Sequence, residues 1–219
     1  MDLATYRERF SAEDAAPGWD AITHALTDIY DEQEPQHWGP ALSHALGGSD
    51  PLDGISAYSK GQGGVGHLHF ASYGYSSLYY DEDAVGQDHS GFGFEMTLRL
   101  ATPLPPTEEP VWVCNLLQNL ARYVFKTGKH FANGHWIPTN GPIRADFDTE
   151  IVGLAFVTDT ELQPIQTVHG RVEFIQAFGL TQCEVDALKK QSRTCQEIVD
   201  THRLSNPLLV TDLRRTDAS

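Results

Sequence analysis

The chain has 219 residues, of which 40% are hydrophobic, so it is long enough to bury a large core, and we expect a single domain over residues 1–219. It carries 30 acidic against 15 basic residues, a formal net charge of -15. Such a charge repels phosphate groups, which argues against nucleic-acid binding and favours a basic protein partner, although an acidic surface also serves solubility alone.

The first residues, MDLATYRERFSAED, carry charges where a secretory signal would need an apolar run. The chain also contains no stretch of about 20 apolar residues, the length that a membrane-spanning helix requires. We therefore predict a cytoplasmic protein that has no membrane partner.

Helices are predicted from the spacing of apolar residues. Between Pro17 and Tyr30 these residues recur at steps of three and four, and a longer run with the same spacing begins at Trp112 and ends near Gly128. Thr181, with Glu184 three positions later, forms a capping-box pattern that begins further helical segments, which extend to about residue 202. The residues predicted to contribute to the core are Trp19, Ile22, Leu26, Trp112, Leu116, Leu120 and Phe174.

Strands are predicted where short apolar runs lie between turn-forming residues. These runs are residues 54–59, 67–73, 92–100, 135–138, 151–157, 165–168, 172–178 and 208–210. Because strands and helices occupy separate blocks of the chain, the pattern favours an α+β fold, with a mixed, largely antiparallel sheet packed with helices.

An aromatic run, GHLHFASYGYSSLYY, occupies residues 66–80. Its tyrosines combine apolar area with a hydroxyl group, a composition that is favoured at the centre of recognition surfaces. In a strand, alternate side chains must pack inside, so about half of these rings are expected to be available to a partner. The candidates for partner contact are Phe70, Tyr73 and Tyr79.

Eight blocks of sequence, in order along the chain, resemble the suppressor-of-fused domain family. They are PGWDAI at 17–22, PLDGIS at 51–56, the aromatic run, SGFGFEMT at 90–97, LARYVF at 120–125, NGPI at 140–143, GRVEF at 170–174 and NPLLVTD at 206–212. The resemblance covers nearly the whole chain, and it implies a suppressor-of-fused-like α+β domain.

What the resemblance implies about function is partner binding. In animal members the aromatic region helps to hold an extended peptide of a Gli-type transcription factor, with help from a second, C-terminal domain. By motif position, the matching residues are Phe70, which ends an HWH-like element in which Leu68 replaces the usual tryptophan, and Asp81. Because the chain ends at Ser219, we expect the second half of that clamp to be absent, so that only the general mode of binding carries over.

Bacterial members of the family look like immunity or accessory proteins of toxin systems. We therefore expect a bacterial, single-domain, non-enzymatic protein that masks a basic toxin or another extended, basic partner. An adaptor that serves assembly alone is a further possibility, and the sequence leaves the oligomeric state open.

A metal-dependent hydrolase is the alternative function. His67 and His69 are alternate residues of a predicted strand, so they could share an ion completed by one of Asp81, His89, His130 or His135. Histidines at this spacing are more often packed or hydrogen-bonded than ligands, and the chain has no HExxH motif. We therefore predict no metal, no cofactor and no catalytic residue.

The three cysteines, Cys114, Cys183 and Cys195, are odd in number and form no CxxC motif. This pattern indicates free thiols rather than a disulfide framework or a zinc site.

Overall fold

The computed structural model describes residues 1–62, 65–103 and 105–217. Its helices are α1 (Leu3–Arg9), α2 (Pro17–Tyr30), α3 (Val111–Thr127), α4 (Gln182–Lys189) and α5 (Cys195–Arg203), with a short 3-10 helix at His44–Leu46. Its strands are β1 (Gln36–Trp38), β2 (Gly54–Gln62), β3 (Val65–Tyr73), β4 (His89–Pro103), β5 (Trp136–Pro138), β6 (Ile151–Thr158), β7 (Ile165–Thr167) and β8 (Gly170–Thr181).

One mixed sheet organises the described chain. Its strand order is β1-β2-β3-β4-β8-β6-β5, and β7 pairs with β8 outside this path. The central pair β4–β8 is parallel, whereas the other strand pairs are antiparallel. The predicted α+β fold with a mixed, largely antiparallel sheet is confirmed.

One face of the sheet is covered by α3. Leu117 and Val124 have no exposed surface and lie in one apolar cluster with Phe70 of β3 and Leu98 of β4. The helix ends where Gly128 adopts a left-handed conformation (φ 69°) and donates its N–H to the carbonyl of Val124 at 2.8 Å. The predicted helix boundary near Gly128 is therefore confirmed.

The opposite face is covered by two separate groups of helices. Ile22 and Leu26 of α2 pack with Phe174 of β8. Val185 of α4 and Ile198 of α5 pack farther along the sheet, against β6 and β8. Because helices cover both faces, consecutive residues of the central strands are buried rather than alternating between core and solvent.

Most of the predicted core is buried. The residues that are at most 6% exposed are Ile22, Leu26, Leu120 and Phe174. Those that are only half-buried, but that still pack against an apolar cluster, are Trp19, Trp112 and Leu116.

One prediction of secondary structure is wrong, and two elements were not predicted. The strand predicted at residues 208–210 is wrong, because Leu209 has a positive φ of 50° and only an isolated bridge joins Thr211 to Leu100. The helical segments predicted after Thr181 are α4 and α5, and Thr194 begins a second capping box at the start of α5. Helix α1 and strand β1 were not predicted.

Within the described ranges, no helix combines the length and the apolar character that crossing a bilayer would require.

Candidate partner-binding surface

The aromatic run divides into a buried part and an exposed part. Phe70 has no exposed surface and stacks with Trp38, with 6.2 Å between ring centroids. Tyr73 is 1% exposed on the opposite face of the sheet, where it stacks on Trp19 at 4.3 Å. Both side chains are buried in apolar clusters on opposite faces of the sheet, so neither is exposed to a partner as predicted.

The exposed part follows β3. Tyr79 and Tyr80 are 51% and 38% exposed. Asp81 and Asp83 are also exposed, and Glu82 between them is half-buried. We call residues 79–83 the Tyr79–Asp83 surface. It contains two of the four residues predicted for partner binding, Tyr79 and Asp81.

A buried carboxylate shapes the chain that leads to this surface. Glu95 of β4 accepts hydrogen bonds from the Ser72 hydroxyl at 2.6 Å, from the Ser76 hydroxyl at 2.7 Å and from the N–H groups of Ser76 and Gly74 at 2.9 and 3.1 Å. Burial raises the Glu95 pKa to about 6, although these hydrogen bonds act in the opposite direction. One side chain therefore fixes the backbone between the end of β3 and the surface.

The first turn of α2 holds the next residues. The N–H groups of Gly18 and Trp19 lie 2.9 and 3.3 Å from the carbonyl oxygen of Leu78. A Cβ atom at Gly18 would lie only 2.1 Å from the carbonyl oxygen of Ser77, so this position requires glycine. The PGW sequence at the start of α2 thus anchors the aromatic segment as well as beginning the helix.

A third support comes from α1, which contributes Tyr6. The Tyr6 hydroxyl accepts the N–H of Asp81 at 2.9 Å and lies 2.8 Å from Nε2 of His169. The other ring nitrogen of His169 lies 3.0 Å from the carbonyl oxygen of Ser77. The Tyr6 ring also stacks with Tyr80, with centroids 4.9 Å apart. The backbone of the surface is therefore held on several sides.

Sequence reasoning missed Tyr6 and His169. Asp2, which caps α1 by accepting the N–H of Thr5 at 2.9 Å, is the kind of residue that could have signalled the helix. No spacing signals the contact of His169 with Tyr6, because the two residues are 163 positions apart.

The surface is negatively charged. Asp81 accepts the N–H of Asp83 at 3.0 Å, which fixes the turn locally. Hydrogen bonds from Arg7 and Tyr80 lower the Glu82 pKa to about 2, so this carboxylate stays ionised. A cationic partner is the chemical complement of this turn.

The two histidines considered for metal binding lie elsewhere, under α2. His69 is fully buried, and its ring nitrogens lie 2.8 Å from the Tyr30 hydroxyl and 3.2 Å from Oδ2 of Asp159. The same Asp159 oxygen accepts a hydrogen bond from Arg99 at 2.9 Å. Burial lowers the pKa of His69, and it lowers that of His67 to about 4.

This arrangement does not resemble a metal centre. Both ring nitrogens of His69 are engaged, and the Arg99 guanidinium beside Asp159 opposes a bound cation. In the part of the chain that the structure describes, no three His, Cys, Asp or Glu side chains come together in a way that could hold a metal ion. The hydrolase alternative therefore gains no support from His67 and His69.

The family assignment rests on comparison with known proteins. A family model described as suppressor of fused protein (SUFU) matches residues 48–216. The chain belongs to the suppressor-of-fused family. It is 34% identical over 211 residues to human "Suppressor of fused homolog", covering 90% of this chain and 43% of that protein, and 33% identical to the mouse homolog. The chain thus spans less than half the length of these curated relatives.

Solved structures give the same fold. A chain in a crystal structure of the Sufu–Fu complex is 30% identical, with a TM-score of 0.83 and 92% of both chains covered. Drosophila Suppressor of Fused is also 30% identical, with a TM-score of 0.81 over 94% of this chain and 52% of that one. A putative homolog from Neisseria gonorrhoeae shares the fold at 13% identity, with a TM-score of 0.60 over 92% of this chain and 97% of that one.

The predicted family and fold are therefore confirmed. The bacterial origin, the cytoplasmic location and the immunity role that we expected stay predictions.

Proposed function

We propose that this suppressor-of-fused domain is a non-enzymatic protein that binds and masks another protein through the Tyr79–Asp83 surface. The observation that carries the proposal is the exposure of Tyr79 and Tyr80 on a backbone that Glu95, α2 and Tyr6 hold in place. Aromatic side chains on a rigid backbone lose little conformational freedom on binding, and they are typical energetic centres of interfaces.

The chemistry of the surface favours a basic, extended segment of the partner. Asp81 and Asp83 are exposed beside the two rings, and the whole chain has a net charge of -15. Charge of this kind mainly accelerates association and selects the partner. The Sufu–Fu complex shows that a homologue can be crystallised with a protein partner.

A narrower form of the proposal is an immunity role, in which the masked partner is a basic toxin. The surplus of acidic residues supports it. In both forms, residues 1–219 act as one binding unit.

The test begins with a partner recovered from the native host, followed by binding kinetics at low and high salt. Tyr79→Ala removes an exposed ring, and we expect binding to weaken by about 30-fold, mainly through faster dissociation. Asp81→Asn keeps an oxygen that can accept the Asp83 N–H but removes the charge, so it should slow association and reduce the dependence on salt.

The matched controls are Tyr123→Ala and Asp148→Asn. Tyr123 is 45% exposed on α3, across the sheet from α2, and Asp148 is exposed outside the Tyr79–Asp83 surface. The controls should bind like the wild type. If folded Tyr79→Ala and Asp81→Asn proteins also bind like the wild type, the partner uses another surface.

A further inference from the structure

The outer edge of β2 is longer than the strand that covers it. β1 pairs only with Ile55, Ser56 and Ala57, whereas β2 continues to Gln62. Across the described residues, no strand pairs with the outer side of β2 beyond Ala57. A strand edge of this kind presents backbone N–H and C=O groups that another chain can pair with.

A side-chain amide covers one position of this edge. Nε2 of Gln33 donates to the carbonyl of Ser59 at 3.0 Å, and the Ser59 N–H donates to Oε1 of Gln33 at 2.7 Å. Two hydrogen bonds to one residue reproduce the pattern that a neighbouring antiparallel strand would make. Because residue orientation alternates along a strand, Gly61 presents its N–H and C=O on the same outer side as Ser59.

The turn that carries Gln33 follows the end of α2 and is joined to the edge of β2 through the Gln33 side chain. It begins at Asp31, which adopts φ 53° and ψ -137°, a conformation that L-residues rarely occupy. The Gln33 side chain is held at the edge by hydrogen bonds that an incoming backbone can replace one for one. When the Gln33 amide is released, the N–H and C=O of Ser59 lose their partners, and an added strand can supply new ones.

The charges around the edge select the kind of partner. Asp31, Glu32 and Glu34 are all exposed in the turn next to the edge. Lys60, the cation on this part of β2, is already paired with Glu161 at 2.7 Å. A second copy of the chain would bring another set of these carboxylates to the contact, and like charges repel, whereas a basic segment would be attracted.

We propose that the edge of β2 around Ser59 and Gly61 accepts an extended, basic segment of a partner protein as an added strand, and that this segment displaces the Gln33 amide. The backbone of the segment would supply affinity through ladder hydrogen bonds, and the acidic turn would select its charge. This edge does not depend on the Tyr79–Asp83 surface. Ser59 lies about 17 Å along β2 from Gly54, the end that pairs with Tyr73.

The experiment uses the full chain and a short synthetic peptide of alternating lysine and valine as the probe, with fluorescence anisotropy as the measurement of binding. A second peptide has the same sequence but carries N-methyl groups on alternate backbone nitrogens, which blocks strand pairing and keeps the charge. Gln33→Ala opens the edge, so we expect it to bind the first peptide about 10-fold more tightly than the wild type does, and to bind the N-methylated peptide weakly. Hydrogen exchange at the Gly61 amide should slow when the first peptide binds.

The matched controls separate this edge from other sites. Gln196 on α5 donates its side-chain amide to Asp200 at 2.8 Å, so Gln196→Ala removes a comparable surface contact and should bind like the wild type. Tyr79→Ala should also leave peptide binding unchanged. Gly61→Pro removes an outward N–H without changing charge, and it should abolish the gain when combined with Gln33→Ala.

Four results would overturn the proposal. Equal binding of the two peptides would mean attraction by charge alone, and equal binding by the wild type and Gln33→Ala would mean that Gln33 does not cover the site. A gain in binding that persists when a folded Gly61→Pro variant is combined with Gln33→Ala would show that the Gly61 N–H is not used. Self-association of Gln33→Ala in sedimentation would make a second copy the occupant. If Gly61→Pro does not fold, the N-methylated peptide still decides whether the backbone pairs.

Discussion

Oδ2 of Asp159 lies 2.9 Å from Nη1 of Arg99, and neither side chain has any exposed surface. Arg99 also donates to Gln176, whose amide donates in turn to the carbonyl groups of Leu208 and Leu209. The ion pair lies on the sheet face that α2, α4 and α5 share, and Gln176 connects Arg99 of β4 to the segment that follows α5. These buried polar groups lie on the same face of the sheet as two separate apolar clusters, one under α2 and one under α4 and α5.

Asp159→Ala should destabilise the protein strongly. Removing one partner leaves the Arg99 charge buried and uncompensated, which typically costs about 3–5 kcal/mol. The matched control is Lys60→Ala, because Lys60 is 44% exposed in its pair with Glu161, and an exposed pair contributes about 0–1 kcal/mol. The free energy of unfolding in urea measures both. Equal losses for the two variants would show that the buried pair is not important for stability.

A second prediction concerns acid stability. Burial lowers the His67 pKa to about 4, with Arg99 adding to the effect. The unfolded chain takes up a proton near the ordinary histidine pKa of about 6.5, so it binds more protons than the folded protein between these values. Stability should therefore fall as the pH is lowered from about 6.5 to 4, by roughly 1–3 kcal/mol from this residue.

His67→Gln should remove that part of the pH dependence, because glutamine does not titrate. His24→Gln is the control, since His24 is exposed on α2. The measurement is the free energy of unfolding at several pH values between 4 and 7, compared among the wild type and the two variants. An unchanged slope in His67→Gln would show that His67 does not stay neutral in the folded protein.

The three thiols should differ in reactivity. Cys183 is exposed, whereas Cys114 and Cys195 are buried, and burial raises the pKa of each buried thiol to about 11. The thiolate is the reactive form, so an aromatic disulfide reagent should modify one thiol in the native protein and the other two only on unfolding. Cys183→Ser should remove the fast reaction. A fast reaction that persists in this variant would place a second thiol at the surface.

The sequence predicted the large elements because their periodicity reports local structure directly. The spacing of apolar residues located α2 and α3, and short apolar runs located most of the strands. β1 was missed because its sequence, QHW, contains no run of apolar residues. The strand expected at 208–210 failed because Leu209 turns the chain with a positive φ.

The candidate site was only partly predictable for a different reason. Alternate aromatic residues of a strand are available to a partner only where one face of the sheet is solvated. Helices cover both faces here, so Phe70 and Tyr73 are both buried. Tyr79 was predicted from the composition of the aromatic run and Asp81 from the family resemblance, and both are exposed because they lie beyond the end of β3. Their supports, Tyr6 and His169, come from distant parts of the chain, and only the folded structure brings them together.

The last prediction links the interior to the Tyr79–Asp83 surface through Glu95. Its carboxylate accepts four hydrogen bonds from Ser72, Gly74 and Ser76. Glu95→Gln replaces one acceptor oxygen with an N–H₂ group that faces the same donors, so at least one buried donor loses its partner. That loss typically costs about 1–3 kcal/mol.

Hydrogen exchange measures the effect locally, and the amides of Gly74 and Ser76 should exchange faster in Glu95→Gln. Partner binding that depends on Tyr79 should also weaken, because the backbone leading to the ring is no longer held. The control is Glu173→Gln, since the Glu173 side chain is 43% exposed in a pair with Arg171. If the variant exchanges at Gly74 and Ser76 like the wild type, Glu95 does not hold this segment. Faster exchange at Gly74 and Ser76 together with unchanged partner binding would show that the partner does not need the Tyr79 ring in a fixed position. In that case, loosening the segment that Glu95 holds would have no effect on affinity.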